Sequence, residues 1–332
     1  MPPGSATILF VSAFHTPFIQ DDIDLLEKQF TLRKQIGHGP GAAAKIVVRA
    51  FRCDLIFCWF ASVYAFVAVV MGKILGIKSI IVIGGVDVAK EKELEYGLWL
   101  SPWRARLVRY ALRNADRVLA VHPTLKDDAA RLAGYDGGNI QYLPTGYSGS
   151  IWKPAGEKES LVLTVAVVKD RRRLRVKGID VLAEAARRLP GITFIVIGVD
   201  SHLRGNVQPP LNMHFRPLMD RMELLPYYQR AKVYCLPSLR EGLPNSLCEA
   251  MLCGCIPVAS DAGGSRSAVG EAGILVPPGD IDSLVGGLQR AMQMRSDAGS
   301  AARARIVSQF PSEKRETGLI SILNGLLVPL EQ

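Results

Sequence analysis

Two glutamates, Glu241 and Glu249, form the pattern in this chain that is best suited to chemistry. A Gly/Pro turn separates them, and Asn245 and Ser246 are predicted to cap a helix that runs from Leu247 to residue 252. The first backbone N–H groups of a helix have no partner within it and suit a phosphate. Carboxylates on both sides of a diphosphate can grip hydroxyl-rich groups, so the pattern predicts a nucleotide-sugar site. The alternative is an ordinary helix start with one solvated and one capping glutamate.

The densest basic run of the chain covers residues 169–178 and includes Lys177 and Gly178. It lies between a predicted strand and a predicted helix, where α/β sheets bind ligands at the carboxyl ends of their strands. Beside the two glutamates, these cations favour a phosphate-binding role. The alternative is a solvated basic loop that binds nucleic acid without sequence specificity.

Composition sets the class of protein. A length of 332 residues predicts two domains of about 150 residues each. The formal net charge of +9 favours an anionic partner, which could be a nucleotide, a nucleic acid or an acidic lipid. Six cysteines without a C-x-x-C pair predict reduced core residues of a cytoplasmic protein, and the N-terminus shows no signal peptide.

Strand and helix patterns alternate along the chain, which predicts parallel sheets covered by helices. The turn-rich segment 144–160 is predicted to divide an N-terminal domain, 1–150, from a C-terminal domain, 156–310. Residues 311–332 are predicted to form a last helix with a loose end, and residues 1–6 are also expected to be loose. Predicted strands cover 7–12, 55–60, 80–83, 117–121, 140–143, 161–168, 192–197, 212–215, 233–237, 256–260 and 274–276, and predicted helices 22–35, 61–75, 102–114, 124–132, 179–189, 247–252 and 311–327. Residues 55–72 carry no charge and could span a membrane, but a buried strand followed by a helix is the preferred interpretation.

The paired glutamates, Lys177-Gly178 and the turn 262–265 resemble family 4 of the retaining glycosyltransferases. This family has the GT-B fold, an α/β architecture of two facing Rossmann-like domains with parallel sheets, and its last helix often crosses back to the first domain. The resemblance implies contacts from Glu241 to the donor sugar and from Glu249 to the ribose of the nucleotide. It also implies that Lys177 and one arginine bind the diphosphate: Arg172 has the commonest spacing, with Arg171 and Arg173 as alternatives. Gly263 and Gly264 would lie near the donor sugar.

The same resemblance implies how the reaction proceeds. Lys177, an arginine and the N–H groups of residues 245–247 would stabilise charge on the leaving diphosphate. The leaving phosphate would accept the acceptor's proton, so no catalytic base is assigned. No Asp-x-Asp follows a predicted strand, so neither a metal nor another cofactor is expected.

The N-terminal half departs from the family pattern. Gly84 stands where many relatives have a histidine that touches the donor, which leaves Gly85, Asp87 and His15 as candidates for contacts in the cleft. For Asp87 the alternative is a turn cap, and for His15 an incidental loop position.

A basic helix face with nearby tryptophans, Trp99 and Trp103, fits docking on an anionic membrane, and it fits an ordinary solvated helix as well. Its arginines are Arg106, Arg109, Arg113 and Arg117.

The sequence therefore predicts a retaining, metal-independent glycosyltransferase of the hexosyltransferase type. It would transfer a sugar from a nucleoside diphosphate sugar to a hydroxyl acceptor, either a saccharide or a lipid-linked one, in the cytoplasm or at the inner face of the membrane. The alternatives are a GT-B epimerase of sugar nucleotides and a non-catalytic subunit that binds nucleotide-sugars. No specific binding of nucleic acid is expected.

Overall fold

The computed structural model describes residues 6–327 and divides them into two compact units. The first unit contains residues 6–145 and 313–327, and the second contains residues 146–312. Apart from Ala6, the predicted loose ends lie outside the described residues.

The first unit is built on a parallel sheet of six strands in the order β2-β1-β3-β4-β5-β6. The strands are β1 Thr7–Ser12, β2 Thr31–Ile36, β3 Leu55–Trp59, β4 Lys78–Ile83, β5 Arg117–Ala120 and β6 Ile140–Tyr142. β1, β3 and β4 are almost continuously buried because helices cover both faces. The strand order changes direction between β1 and β3, so loops that follow these two strands diverge from a shared crevice.

Five helices connect these strands, and four of them begin with a proline that presets the backbone for a helix. They are α1 Pro17–Glu27, α2 Pro40–Ala50, α3 Val63–Leu75, α4 Pro102–Asn114 and α5 Pro123–Ala133. The prediction of one helix over 22–35 was wrong, because α1 ends at Glu27 and β2 follows. β2 is an edge strand with a mostly solvated TLRKQI sequence, so it lacks the apolar alternation that identifies a strand.

The uncharged segment 55–72 forms β3 and most of α3, which agrees with the preferred interpretation. Ser62 caps α3 by accepting a hydrogen bond from the N–H of Ala65 at 3.4 Å, and Gly76 ends it at φ 70°. Within residues 6–327, no helix is both long and apolar enough to cross a bilayer.

The second unit has a parallel sheet of six strands in the order β12-β11-β10-β7-β8-β9. Its strands are β7 Glu159–Val168, β8 Thr193–Val199, β9 Met213–Arg216, β10 Ala231–Leu236, β11 Ile256–Ser260 and β12 Ile274–Val276. This is the strand order of a dinucleotide-binding sheet, which reverses between β7 and β10.

Eight helices surround this second sheet. They are α6 Arg171–Val176, α7 Ile179–Arg188, α8 Ser201–Arg204, α9 Arg221–Arg230, α10 Asn245–Leu252, α11 Ser265–Val269, α12 Ile281–Gln293 and α13 Ser296–Gln309. The core of this unit contains the buried faces of α7 and α12 and buried side chains of the sheet strands β8 and β10.

The last helix, α14 Ser312–Leu327, belongs to the first unit by its contacts from Glu313 onward. A buried ion pair connects it to α1: Arg315 Nη2 lies 2.6 Å from Asp22 Oδ2, and Arg315 Nε lies 3.0 Å from Asp22 Oδ1. Arg315 also donates to the carbonyl of Leu143, and Trp59 Nε1 donates to Asp22 at 2.8 Å. Both charged groups are therefore paired and hydrogen-bonded, as burial requires.

We expect Arg315→Ala to reduce the unfolding free energy of the first unit by about 3–5 kcal/mol, because the Asp22 carboxylate would stay buried without its partner. The measurement is a urea titration that follows hydrogen–deuterium exchange in peptides of α1 and β3.

The matched control is Lys28→Ala. Lys28 pairs with Glu316 across the same two helices, but its side chain is 60% exposed, so the expected loss is under about 1 kcal/mol. Equal losses in the two variants would contradict an anchoring role for the buried pair.

Candidate active site

The candidate site lies at the carboxyl edge of the second sheet, where the strand order reverses. Lys177 lies in the connection after β7, and Glu241 lies in the loop after β10. β7 and β10 are neighbours in the sheet, and their following connections leave in opposite directions. In open α/β sheets this crevice is where ligands bind.

A close backbone approach fixes the position of Lys177. Gly178 follows it at φ 63°, and a Cβ atom there would lie 2.1 Å from the carbonyl oxygen of Pro237. The N–H of Leu239 also donates to the carbonyl of Val176 at 2.8 Å. Only glycine fits at position 178, so the turn that carries Lys177 packs directly against the end of β10.

Lys177 and Glu241 form an ion pair. Lys177 Nζ donates to Glu241 Oε1 at 2.5 Å, and the two side chains are 23% and 11% exposed. Partial burial lowers the effective dielectric around the pair, which strengthens its attraction relative to a solvated pair. Both groups nevertheless keep a surface that a ligand can reach.

The second glycine turn holds the loop of Glu241 in place. A Cβ atom at Gly263 would lie 2.0 Å from the carbonyl oxygen of Glu241, and one at Gly264 would lie 2.1 Å from that of Gly242. The N–H of Gly264 donates to Gly242 at 2.8 Å. A side chain at either glycine would push this loop away, so the turn positions Glu241 through its backbone.

Glu249 lies in the second turn of α10 and is held by two side chains. Its carboxylate is buried and accepts from Arg221 Nη2 at 3.2 Å and from Tyr228 Oη at 3.3 Å. The Arg221 guanidinium stacks over Trp152 at 5.5 Å, and Trp152 packs edge-on against Tyr228. Burial, together with the Glu249 charge, raises the pKa of Tyr228 well above its usual value, so this hydroxyl stays protonated as a donor.

The predicted cap of α10 was wrong. Pro244 occupies the N-cap position and no side chain caps the helix, which begins at Asn245. Asn245 Oδ1 instead accepts from Tyr147 Oη at 2.8 Å, and Ser246 Oγ contacts Tyr234 Oη at 2.7 Å. Both side chains therefore bind tyrosine hydroxyls and do not cap the helix. The first turn of α10, which includes Asn245, Ser246 and Leu247, presents its N-terminal dipole next to the Glu241 loop.

The basic run is partly helical, whereas a loop was predicted. Asp170 caps α6 by accepting from the N–H of Arg173 at 2.7 Å, and it lies 3.6 Å from Arg172 Nη2. Arg171, Arg172 and Arg173 are all exposed. The structure thus brings Lys177 to Glu241 and places Arg172 beside Asp170, and the identity of the arginine that binds a diphosphate stays a prediction.

In the first unit, Asp87 is a buried turn cap. Its carboxylate accepts from the N–H groups of Ala61 at 3.0 Å and Gly85 at 2.8 Å, and Trp99 Nε1 donates to its backbone carbonyl. Burial raises the pKa of Asp87 to about 6. This geometry matches the turn-capping alternative and leaves the carboxylate no exposed surface.

Gly84, which departs from the family pattern, packs against Phe60. A Cβ atom at Gly84 would lie 2.5 Å from the Phe60 ring, so a histidine at this position would collide with it. Phe60 itself has φ 68°, which costs a side-chain-bearing residue about 1–3 kcal/mol. His15 is exposed and hydrogen-bonds to Gln20 at 2.7 Å.

Sequence reasoning missed Arg221, Tyr228, Tyr234 and Phe60. Asp220 and Glu223 form a capping box that identifies the start of α9, where Arg221 is the first residue. That signal could have located the helix, but the pairing with Glu249 depends on tertiary packing. In the part of the chain that the structure describes, no cluster of three His, Cys, Asp or Glu side chains is suited to a metal ion, and the six cysteines are unpaired.

Comparisons with known proteins cover both units. The family described as Glycosyltransferase Family 4 matches residues 13–148, and the family described as Glycosyl transferases group 1 matches residues 161–294. Alpha-maltose-1-phosphate synthase of Mycolicibacterium smegmatis is 27% identical over 67% of this chain and 65% of its own length. The matches to the first curated relatives span between 44% and 65% of the length of those proteins.

Solved structures share the fold across nearly the whole chain. Sucrose-phosphate synthase from Thermosynechococcus elongatus aligns with a TM-score of 0.80 at 17% identity, and the alignment covers 97% of this chain and 99% of the other. Anabaena HepE in complex with UDP-glucose aligns with a TM-score of 0.78 at 17% identity, over 96% and 100% of the two chains. The chain therefore belongs to the group 1, family 4 glycosyltransferases and has their GT-B fold.

Proposed function

We propose that this protein is a retaining glycosyltransferase that transfers a sugar from a nucleoside diphosphate sugar to a hydroxyl acceptor. The observation that carries the proposal is the Lys177–Glu241 pair at the reversal point of the second sheet, beside the start of α10. The cation and the helix N-terminus can bind the negatively charged diphosphate of a donor, and the carboxylate can accept hydrogen bonds from its sugar hydroxyls.

The proposed reaction uses this arrangement. The bond between the anomeric carbon and the phosphate oxygen breaks, and its electron pair stays on the diphosphate. The acceptor oxygen bonds to the anomeric carbon from the same face, and its proton passes to the departing phosphate oxygen. Lys177 and the N-terminal dipole of α10 stabilise the new negative charge, while Glu241 holds the sugar hydroxyls. In this proposal the fixed cations replace a divalent metal, and no cofactor is needed.

Glu249 would bind the ribose of the nucleotide. Arg221 and Tyr228 donate to its carboxylate and fix its orientation in the second turn of α10. Because both partners are themselves packed against Trp152, the carboxylate is held before a ligand arrives. Such preorganisation reduces the entropy cost of binding. The solved complex of HepE with UDP-glucose supports this donor class.

Two alternatives predict different products. A GT-B epimerase would leave the nucleotide attached to a changed sugar or release free sugar without an acceptor. A non-catalytic subunit would bind the donor and release nothing. Product analysis by mass spectrometry and NMR separates these alternatives from transfer.

A second proposal concerns the partner of the first unit. The adjacent helices α2, α3 and α4 contain no acidic residue and carry a set of seven cations: Lys45, Arg49, Lys73, Arg104, Arg106, Arg109 and Arg113. Of the residues predicted for this face, Trp99 is buried and Arg117 lies in β5, so the prediction was wrong for these two. Exposed apolar side chains lie among the cations, including Phe51 at 64%, Ile74 at 69% and Trp103 at 54% exposure. Cations interspersed with exposed aromatic and aliphatic groups fit the headgroup region of an anionic bilayer, so we propose peripheral contact there and a lipid-linked acceptor.

We expect one nucleoside diphosphate among UDP, GDP and ADP to bind with micromolar affinity in calorimetry. Lys177→Ala and Glu249→Gln should each weaken binding at least about tenfold, because each removes a charged contact worth roughly 1.5–3 kcal/mol.

The matched control is Lys232→Ala. Lys232 lies in the same unit, and its ammonium group donates to the carbonyl of Met292, so its loss should leave nucleotide affinity unchanged. Binding of no nucleotide, or binding that both site variants retain in full, would reject the donor site.

For the membrane contact, we expect the protein to co-sediment with vesicles that contain phosphatidylglycerol and not with pure phosphatidylcholine vesicles at low ionic strength. The double variant Arg104→Glu/Arg106→Glu should bind at least about tenfold more weakly, since each basic residue near the surface contributes about 1 kcal/mol.

The charge-matched control for this experiment is Arg290→Glu/Arg295→Glu, which reverses two exposed arginines of the second unit. Equal weakening in both double variants would indicate a general effect of net charge and contradict a docking face on the first unit.

A further inference from the structure

Two phenylalanines lie at the reversal point of the first sheet. Phe14 follows β1 and Phe60 follows β3, and these strands are neighbours between which the strand order changes direction. Their ring centroids lie 5.6 Å apart in an edge-to-face arrangement, and Phe14 is 50% exposed. Aromatic side chains are therefore presented at the place where an open α/β sheet binds ligands.

The backbone of Phe60 has a strained conformation. Its φ of 68° lies in the left-handed region that normally selects glycine. The ring is fixed by edge contacts with Phe18 at 6.3 Å and by a tilted contact with Trp59 at 5.5 Å. Strain of this kind persists only where the surroundings enforce it, and it is concentrated at functional sites.

Gly84 provides the space for this ring. The absent side chain at position 84 leaves room for the Phe60 ring edge, which would otherwise lie 2.5 Å from a Cβ atom. The strained residue and the glycine thus form a coupled pair: the ring occupies the volume in which the family pattern places a histidine. Any direct contact with a ligand at this point comes from an aromatic surface and not from an imidazole.

Polar groups follow Phe14 in the chain. The exposed His15 follows Phe14 directly and hydrogen-bonds to Gln20, and Gln20 donates to Asp24 at 2.5 Å. An aromatic surface beside exposed hydrogen-bonding groups matches a pyranose ring, which has a C–H face surrounded by hydroxyls. The negative face of an aromatic ring attracts such weakly positive C–H groups.

We propose that Phe14 and Phe60 form a shelf that binds the C–H face of a pyranose. The assignment rests on the proposed function and deepens it, because the pyranose would belong to a saccharide acceptor. Binding of a simple glycoside does not require donor binding, so the shelf can be tested separately.

The test is NMR of protein labelled with ¹³C in the phenylalanine rings. The probes are methyl α-glucopyranoside, methyl α-mannopyranoside and UDP-glucose, and the ring signals are assigned with Phe14→Leu and Phe60→Leu. We expect signals of both rings to shift with at least one methyl glycoside, and each variant to weaken its binding at least about fivefold. Tyr142→Leu is the control, since Tyr142 is also an exposed aromatic residue of the first unit and lies on the edge strand β6.

Each outcome has one meaning. Shifts caused by a methyl glycoside support an acceptor sugar on the shelf, and shifts caused by UDP-glucose alone would contradict it. If no probe moves either ring signal, or if Tyr142→Leu weakens binding as much as the shelf variants, the shelf is wrong. If the protein binds a methyl glycoside but none of UDP, GDP and ADP, the proposed donor site is rejected and the shelf stays in place.

Discussion

The ion pair between Lys177 and Glu241 depends on close contact between backbones at the reversal point of the second sheet. Gly178 lets the turn after α6 touch the carbonyl of Pro237, and Gly263 and Gly264 let a second turn touch the loop of Glu241. Even a methyl group at any of the three positions would separate these segments. The charged atoms therefore meet because glycine backbones meet, and the chemistry of the site depends on that packing.

Glu249 is supported in a different way. Side chains, and not backbone contacts, hold it: Arg221 and Tyr228 bind its carboxylate, and Trp152 packs on both of them. The two glutamates thus differ in their freedom. Glu241 lies in a loop and can exchange Lys177 for a ligand, whereas Glu249 is fixed in a helix. In the proposed reaction, Glu249 would keep the nucleotide in place while the Glu241 side chain exchanges Lys177 for the sugar hydroxyls.

The sequence predicted the parts that depend on local pattern. The alternation of strands and helices could be predicted, because each element has its own local pattern. Residue type and spacing over a few positions also singled out Lys177, Glu241 and the glycine turn as candidates. The partners of Glu249 were not readable, since Arg221 lies 28 positions away and nothing local indicates the contact. The cap at Asn245 was predicted wrongly because Tyr147, far away in sequence, competes for its side chain. Similarly, the sequence showed that Gly84 departs from the family pattern, but only the structure shows that the Phe60 ring leaves no room for a side chain at this position.

In the proposed reaction, Lys177 and the N-terminus of α10 stabilise the leaving diphosphate while the anomeric configuration is kept. The most direct measurement is time-resolved ¹H NMR of slow donor hydrolysis, with water as the acceptor, an α-linked nucleotide-sugar as substrate and excess EDTA. We expect that the α anomer of the free sugar appears first, that EDTA has no effect, and that Lys177→Ala slows release at least about a hundredfold, which corresponds to about 2.7 kcal/mol of transition-state stabilisation. Initial release of the β anomer, loss of turnover with EDTA, or an unchanged rate in Lys177→Ala would contradict it.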